Sequence, residues 1–300
     1  FSGSVVVVRD GRVVLERGYG FADRERKIKN TPDTIFAIGS TPIDFTHAAI
    51  LKLEEMGKLK TSDPITTYLS HVPDDKRGIT IDQLMTGRSG LADFHHIAGV
   101  DADPDLTWID RDSAVKRILG GTLLFAPGTD RRHSHSAWVL LAAIVETVSG
   151  ESYGAFVRDR LFKPAGMMRT GLHEDLVRTD DREIAVGYEA QPAGKINSPK
   201  YWGRTSWLVM GSGGMSSTAG DLYRFFTAVR GARVLSDAAA KKFGPGGGVM
   251  VGGDDRGFLC MHAEKGRDMF VLVSNAHSGP GDGAWALGNR LAEMVVGAPR

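Results

Sequence analysis

Apolar residues recur at strand spacing near both ends of the chain. Residues 4–9 and 12–20 are β-rich runs on either side of Asp10 and Gly11, a dipeptide that favours the tight turn of a hairpin. Residues 257–262 and 268–274 have the same character near the other end. The pattern therefore predicts one sheet that is built from both ends of the chain.

Helical spacing of apolar residues dominates the middle of the chain. A helix is predicted to follow Ser40 and to run to about Met56, because Pro42 suits a first helical turn. Gly150 is a typical stop signal for a helix. Further helices are predicted at residues 113–119, 137–148, 153–161, 218–229 and 283–296.

These elements predict an α/β architecture in which an antiparallel sheet is flanked by helices and carries a helical insertion. Residues 1–57 and 206–300 would form the sheet domain, and residues 58–205 a mainly helical domain. The cleft between the two is the expected place for a ligand.

Composition narrows the possible functions. The 37 basic and 36 acidic residues are mixed along the chain, so no basic stripe indicates a nucleic-acid partner. Cys260 is the only cysteine, which excludes internal disulfides and a cysteine metal cage and is typical of an inert core thiol. No apolar run approaches the ~18 residues of a membrane span. Because the chain starts at Phe1, an upstream segment is expected to have been removed.

Several segments resemble the family of class C β-lactamases, D,D-peptidases and related esterases. They include TPDTIFAIGS at 31–40, ITIDQLMTGRSGLADF at 79–94, FAPGTDRRHSHSAW within 125–153 and GSGGMSSTAGDLYRF at 211–225. The resemblance extends over nearly the whole chain. It implies a β-lactamase/transpeptidase-like fold, hydrolysis of an ester or amide, a small-molecule or peptide-like ligand and no cofactor. It also favours a periplasmic or secreted location.

The first motif of that family is Ser-x-x-Lys at the start of a helix. Here the segment reads Ser40-Thr41-Pro42-Ile43, so Ser40 stands at the nucleophile position and Ile43 replaces the lysine. A serine hydroxyl needs a nearby base, and isoleucine cannot accept a proton. The family's β-lactamase activity is therefore not expected, although Ile43 still belongs to the expected ligand site.

The second motif, Tyr-x-Asn, reads His133-Ser134-His135. A neutral imidazole can act as a base near pH 7. The residues therefore predict a Ser40–His133 catalytic dyad, with His135 in the position that contacts substrate in the family. Histidine is shorter than tyrosine, so this dyad requires a backbone shift or a bridging water.

The third motif, Lys-Thr-Gly or His-x-Gly in the family, is best matched by Val251-Gly252-Gly253. Its glycines permit a ligand to approach the backbone closely. By resemblance, the N–H groups of Ser40 and Asp254 would form the oxyanion hole. Val251, Gly253 and Asp254 are accordingly predicted to contact substrate.

Three functions remain open from the sequence. The first is an esterase or amidase in which Ser40 attacks and His133 is the base. The second is a catalytically inactive homologue that binds a small ligand or peptide in a cleft made apolar by Ile43 and Val251. The third is a metal-binding protein that uses His133 and His135, with His95 and His96 as possible further ligands.

Overall fold

The computed structural model describes residues 1–94, 107–188, 196–244, 249–253, 256–279 and 281–297. It shows a mixed α/β protein with an antiparallel sheet flanked by helices, as the sequence predicts. The strands are β1 Gly3–Arg9, β2 Arg12–Tyr19, β3 Phe21–Asp23, β4 Ile28–Lys29, β5 Phe36–Ala37, β6 Gly171–Leu172, β7 Met215–Ser217, β8 Val249–Gly253, β9 Leu259–Lys265 and β10 Asp268–Ser274.

The main sheet has five strands in the order β2-β1-β10-β9-β8, and each neighbouring pair is antiparallel. Strand β1 pairs with β10 from the other end of the chain, with Val6 opposite Val271. This confirms that both ends of the chain build one sheet. The short strands β5, β7 and β6 form a second sheet, and β3 pairs with β4.

Nine helices of the described residues surround these sheets. Their bounds are α1 Pro42–Glu55, α2 Ile81–Met85, α3 Arg111–Gly120, α4 His135–Ser149, α5 Tyr153–Val157, α6 Lys163–Ala165, α7 Ala219–Arg230, α8 Asp237–Phe243 and α9 Gly283–Val296. None of the helices in this part of the chain has the length and apolarity needed to cross a membrane.

The two faces of the main sheet pack against different helices. Val5 and Val7 of β1 face α9, where Leu291 and Val295 join the same apolar cluster. The alternate residues of β1 belong to a larger cluster that also contains the buried apolar residues of α1, α4 and α7. Burial of both sheet faces explains the almost unbroken apolar composition of β1 and β10.

Helix α4 is the most deeply buried element of the larger cluster. Its residues from 139 to 145 are fully shielded from solvent. The helix ends at Gly150, whose φ of 72° is the left-handed conformation that suits glycine at a helix end. A helix held on all sides gives a rigid support for the side chains at its first turn. The division of the chain into a sheet domain and a helical domain stays a prediction.

Candidate functional site

Ser40 lies in the turn that leads from β5 into α1. Thr41 is the N-cap residue of this helix and Pro42 its first residue, as the sequence indicates. The turn requires Gly39, whose φ is +53° and whose added Cβ would lie 2.8 Å from the backbone of Gly252 and Gly253. The turn therefore places Ser40 against strand β8, at the positive end of the α1 dipole.

A continuous chain of hydrogen bonds starts at the Ser40 hydroxyl. The Oγ atom lies 3.1 Å from Nε2 of His135, and Nδ1 of the same ring lies 2.8 Å from Oδ2 of Asp93. The tautomer that carries its proton on Nδ1 satisfies both contacts, because Nδ1–H then donates to the carboxylate and Nε2 accepts from the hydroxyl. Ser40, His135 and Asp93 thus have the hydrogen-bond arrangement of a serine-hydrolase triad.

Two features of the backbone hold His135 in this position. His135 is the first residue of α4, and its own N–H donates to Asp93 Oδ2 at 3.0 Å. The carboxylate therefore binds both the main chain and the ring of the same residue. The side chains of His135 and Asp93 are only 18% and 11% exposed, so their interaction is partly shielded from water.

The imidazole at Ser40 is therefore not the one that the sequence indicated. Among the described hydrogen bonds Ser40 is joined to His135, whereas His133 is exposed and packs edge-on against the His135 ring at 4.7 Å between centroids. Desolvation lowers the pKa of His133, the neighbouring His135 lowers it further, and Asp93 opposes both effects. His135 lies beside Ser40 because the start of α4 and Asp93 fix the position of its ring.

A cleft of ≈ 430 Å³ opens in front of the Ser40 hydroxyl. It is lined by Ser40, Thr41, Ile43, Asp44, His47, Met85, His133, His135, Trp138, Val251, Gly252 and His262. No lysine or arginine is among these described lining residues. Ile43 stands where the family motif has its lysine, and Met85, Trp138 and Val251 contribute further apolar side chains to the lining.

Asp44 brings a carboxylate to the lining of this cleft. It lies 3.4 Å from Nε2 of His262, and its side chain is 15% exposed. His47, one helical turn further along α1, packs against Phe243 at 4.9 Å between ring centroids. Burial lowers the pKa of His47, with Asp44 opposing that effect. The inner end of the cleft therefore carries negative rather than positive charge when these imidazoles are neutral.

Strand β8 forms the opposite rim of the cleft. Val251 is 40% exposed and lines the cleft, and a Cβ added to Gly252 would lie 2.9 Å from the Thr41 hydroxyl. The glycines of the third motif thus let β8 run directly beside the Ser40 turn. Gly253 ends the strand, and Asp254, the predicted second oxyanion donor, lies outside the described residues.

Two members of this hydrogen-bonded chain and the neighbouring His133 carry nitrogen or oxygen atoms of the kind that bind metals. One ligand atom each from Asp93, His133 and His135 lies within 4.8 Å of the others. His95 and His96, the further ligands considered from the sequence, lie outside the described residues. Cys260 is fully buried, and burial raises the pKa of its thiol to about 12, in line with an inert core residue.

Asp93 joins the candidate site through its hydrogen bonds to His135, and the sequence analysis does not name it. It lies within the segment at 79–94 that carried the family resemblance, next to the last residue of the first described range. The signal for an acidic partner in the sequence is the replacement of the tyrosine and asparagine by two histidines, because a serine–histidine pair works best with a carboxylate behind the ring.

The fold and site define a serine-hydrolase-like protein of the β-lactamase and penicillin-binding class. A family model described as Beta-lactamase matches residues 1–298, and the chain belongs to this family. A curated relative, "Putative penicillin-binding protein PbpX" of Bacillus subtilis, is 36% identical over 249 residues. The match covers 82% of this chain, and the chain spans 59% of the length of that relative.

Solved structures share the fold over almost the full chain. A penicillin-binding protein from Bacillus halodurans superposes with a TM-score of 0.79 at 22% identity, covering 98% of this chain and 96% of that one. A D-amino acid amidase from Ochrobactrum anthropi has a TM-score of 0.78 at 21% identity, covering 98% and 91%. At this level of identity the likeness establishes the fold alone.

Proposed function

We propose that this protein is a serine hydrolase of the esterase or amidase type in which Ser40 is the nucleophile, His135 the general base and Asp93 the group that orients it. The observation that carries the proposal is the unbroken hydrogen-bonded chain from Ser40 Oγ through both nitrogens of His135 to Asp93. This chain supplies what Ile43 removed, a proton acceptor beside the serine.

The reaction follows from the positions of these atoms. His135 Nε2 takes the proton of the Ser40 hydroxyl as Oγ attacks the carbonyl carbon of the substrate, and a tetrahedral oxyanion forms. Asp93 stabilises the imidazolium that results. The ring then gives its proton to the leaving alcohol or amine, an acyl-enzyme remains, and a water molecule activated by the same ring releases the acid.

The oxyanion would be held mainly by backbone donors. The Ser40 N–H lies at the start of α1, where the helix dipole favours developing negative charge. The close approach of Gly39 to the end of β8 supports the family arrangement, in which a second N–H comes from the residue after Gly253. Backbone donors do not depend on side-chain identity, so this half of the machinery tolerates the altered motifs.

The cleft lining points to the class of substrate. Ile43 and Val251 stand in place of the first motif's lysine and the first residue of the third motif, and the described lining contains Asp44 but no lysine or arginine. A substrate that presents a carboxylate, as a penicillin does, would meet no cationic partner among these residues. The apolar wall formed by Ile43, Met85, Trp138 and Val251 favours a small acyl group that is neutral or carries an amine. A D-amino acid amidase, whose name indicates a substrate that carries an amine, has the same fold.

Labelling with a fluorophosphonate followed by peptide mass spectrometry tests the proposal directly. We expect an adduct on Ser40, and turnover of short-chain p-nitrophenyl esters that is abolished in Ser40→Ala and His135→Ala. His133→Ala should reduce turnover far less, which separates the two imidazoles. Absence of both an adduct and turnover in the folded protein would instead support an inactive homologue that binds a ligand in the cleft.

A further inference from the structure

We propose that Asp93, His133 and His135 form a binding site for a divalent transition-metal ion such as zinc, and that a bound ion reversibly silences the Ser40 triad. The silencing part rests on the proposed function, whereas the binding part does not. The site is a cluster of two imidazoles and one carboxylate whose ligand atoms already lie within 4.8 Å of each other.

The donor set suits zinc. Zinc binds imidazole nitrogen and carboxylate oxygen at about 2.0–2.2 Å, and three protein ligands with a water in the fourth position are a common arrangement. Ligand atoms around a tetrahedral ion lie roughly 3.3 Å apart by that geometry. Asp93 Oδ2 and His135 Nδ1 are 2.8 Å apart, close to this spacing, so these two groups have to separate slightly and the His133 ring has to turn toward them.

The position of His133 permits that movement. It is exposed at the rim of the cleft, and its contact in the described structure is the edge-on packing with the His135 ring. His133 and His135 flank Ser134, an N-cap residue in an extended conformation, and such a spacing directs alternate side chains to the same side. The start of α4 therefore presents both rings to one point in front of Asp93.

Metal binding and the triad exclude each other because of how His135 is used. Its Nε2 faces Ser40 and its Nδ1 faces Asp93, so both ring nitrogens already take part in the catalytic chain. An ion bound beside Asp93 takes Nδ1 and displaces the proton that the ring shares with this carboxylate. The neutral ring then carries its proton on Nε2, which can donate to Ser40 but cannot accept from it. Ser40 is therefore left without a working acceptor while the ion is bound.

The binding test uses Ser40→Ala protein, so that no turnover is needed. Metal-free protein without a histidine tag is titrated with zinc against a chromophoric chelator, and we expect one equivalent to bind. Asp93→Ala and His133→Ala should each weaken binding by about 10- to 100-fold or more, the loss typical of even an outer partner of a ligand. His71→Asn is the matched control, because His71 is exposed, lies outside the cleft and has a φ of 55° that asparagine tolerates.

The inhibition test uses the protein with Ser40 intact, and each variant is compared with its own metal-free rate. Zinc should suppress ester turnover, a chelator should restore it, and His133→Ala should need at least about tenfold more zinc for the same suppression. Unchanged zinc affinity in His133→Ala, or substoichiometric binding throughout, overturns the metal site. Stoichiometric binding in a protein without turnover would leave the site standing and refute only the hydrolase.

Discussion

Replacing Asp93 with asparagine changes one charge in the proposed triad and almost nothing in its shape. The carboxylate accepts the Nδ1–H of His135 at 2.8 Å and the backbone N–H of His135 at 3.0 Å through the same oxygen. The amide oxygen of asparagine can replace that oxygen and keep both contacts. The loss is then the negative charge that stabilises the imidazolium during the reaction.

The size of this loss follows from the distance and the shielding of the pair. Two unit charges about 4 Å apart interact by roughly 4 kcal/mol at the effective dielectric constant of a protein surface, and this pair is mostly shielded from solvent. Since about 1.4 kcal/mol corresponds to a factor of ten in rate, the expected loss in kcat is about 10³-fold. If the amide instead turns its NH₂ group to the ring and selects the wrong tautomer, the loss rises toward about 10⁴-fold.

The assay measures ester turnover at saturating and at limiting substrate concentrations. Ser40→Ala gives the background rate without the nucleophile, and Asp112→Asn is the control. Asp112 is an exposed acidic residue in the first turn of α3, outside the cleft lining, so its replacement should leave kcat unchanged. An Asp93→Asn enzyme that keeps its kcat within about tenfold of wild type, while Ser40→Ala is inactive, would show that Asp93 does not support the base.

Three further changes test the site and its surroundings. Ile43→Lys should lower kcat/KM by roughly tenfold rather than restore activity, because an ammonium beside His135 disfavours the imidazolium. A gain in rate would instead indicate that the native site is inactive and that the family's lysine restores it. Gly39→Ala should lower the free energy of unfolding by more than the roughly 1–2 kcal/mol of a left-handed alanine, because the added Cβ would lie 2.8 Å from the backbone of β8, and it should remove turnover. The control for backbone strain alone is Gly57→Ala, which has a φ of +68° and no atom within 4 Å of the added Cβ. Thermal unfolding compares the two variants. Burial, with a smaller contribution from Arg256, lowers the pKa of His173 from 6.5 to about 3. The unfolded chain therefore binds a proton below pH 6.5 that the folded chain does not bind, and the free energy of unfolding should fall by up to ~2 kcal/mol between pH 6.5 and 5. A His173→Gln variant with the same pH slope in urea unfolding would contradict this.

Most elements governed by local patterns could be predicted to within a residue or two, although β9 ends three residues later than predicted. Strand β10 and helix α9 have the predicted bounds, because each is a continuous apolar or amphipathic run between clear turn signals. The small sheet of β5, β7 and β6 was missed. Its strands have only two or three residues, and Phe36 pairs with Ser217 far along the chain, so no local alternation marks them.

The residues of the candidate site were likewise predictable only in part. The family's first motif predicts Ser40 as the nucleophile, and the second motif predicts His135 as a contact residue; both residues line the cleft, and their roles stay predictions. The assignment of the base to His133 rested on the tyrosine position of the family motif. The choice between the two rings depends on Asp93, which lies 42 residues earlier and binds the first turn of α4. Sequence spacing does not contain this tertiary contact.

The altered motifs are best understood as one coupled change rather than three separate losses. A lysine at position 43 works with a serine and a tyrosine, but the same ammonium beside an imidazole would oppose the positive charge that His135 must carry during the reaction. Ile43 removes that opposition, and Asp93 supplies the favourable charge from the other side of the ring. Each substitution by itself would weaken a lysine-based site, whereas together they are consistent with a site based on histidine. Ile43→Lys alone and Asp93→Asn alone should therefore weaken the same step, and because both act on one imidazolium their effects should not add.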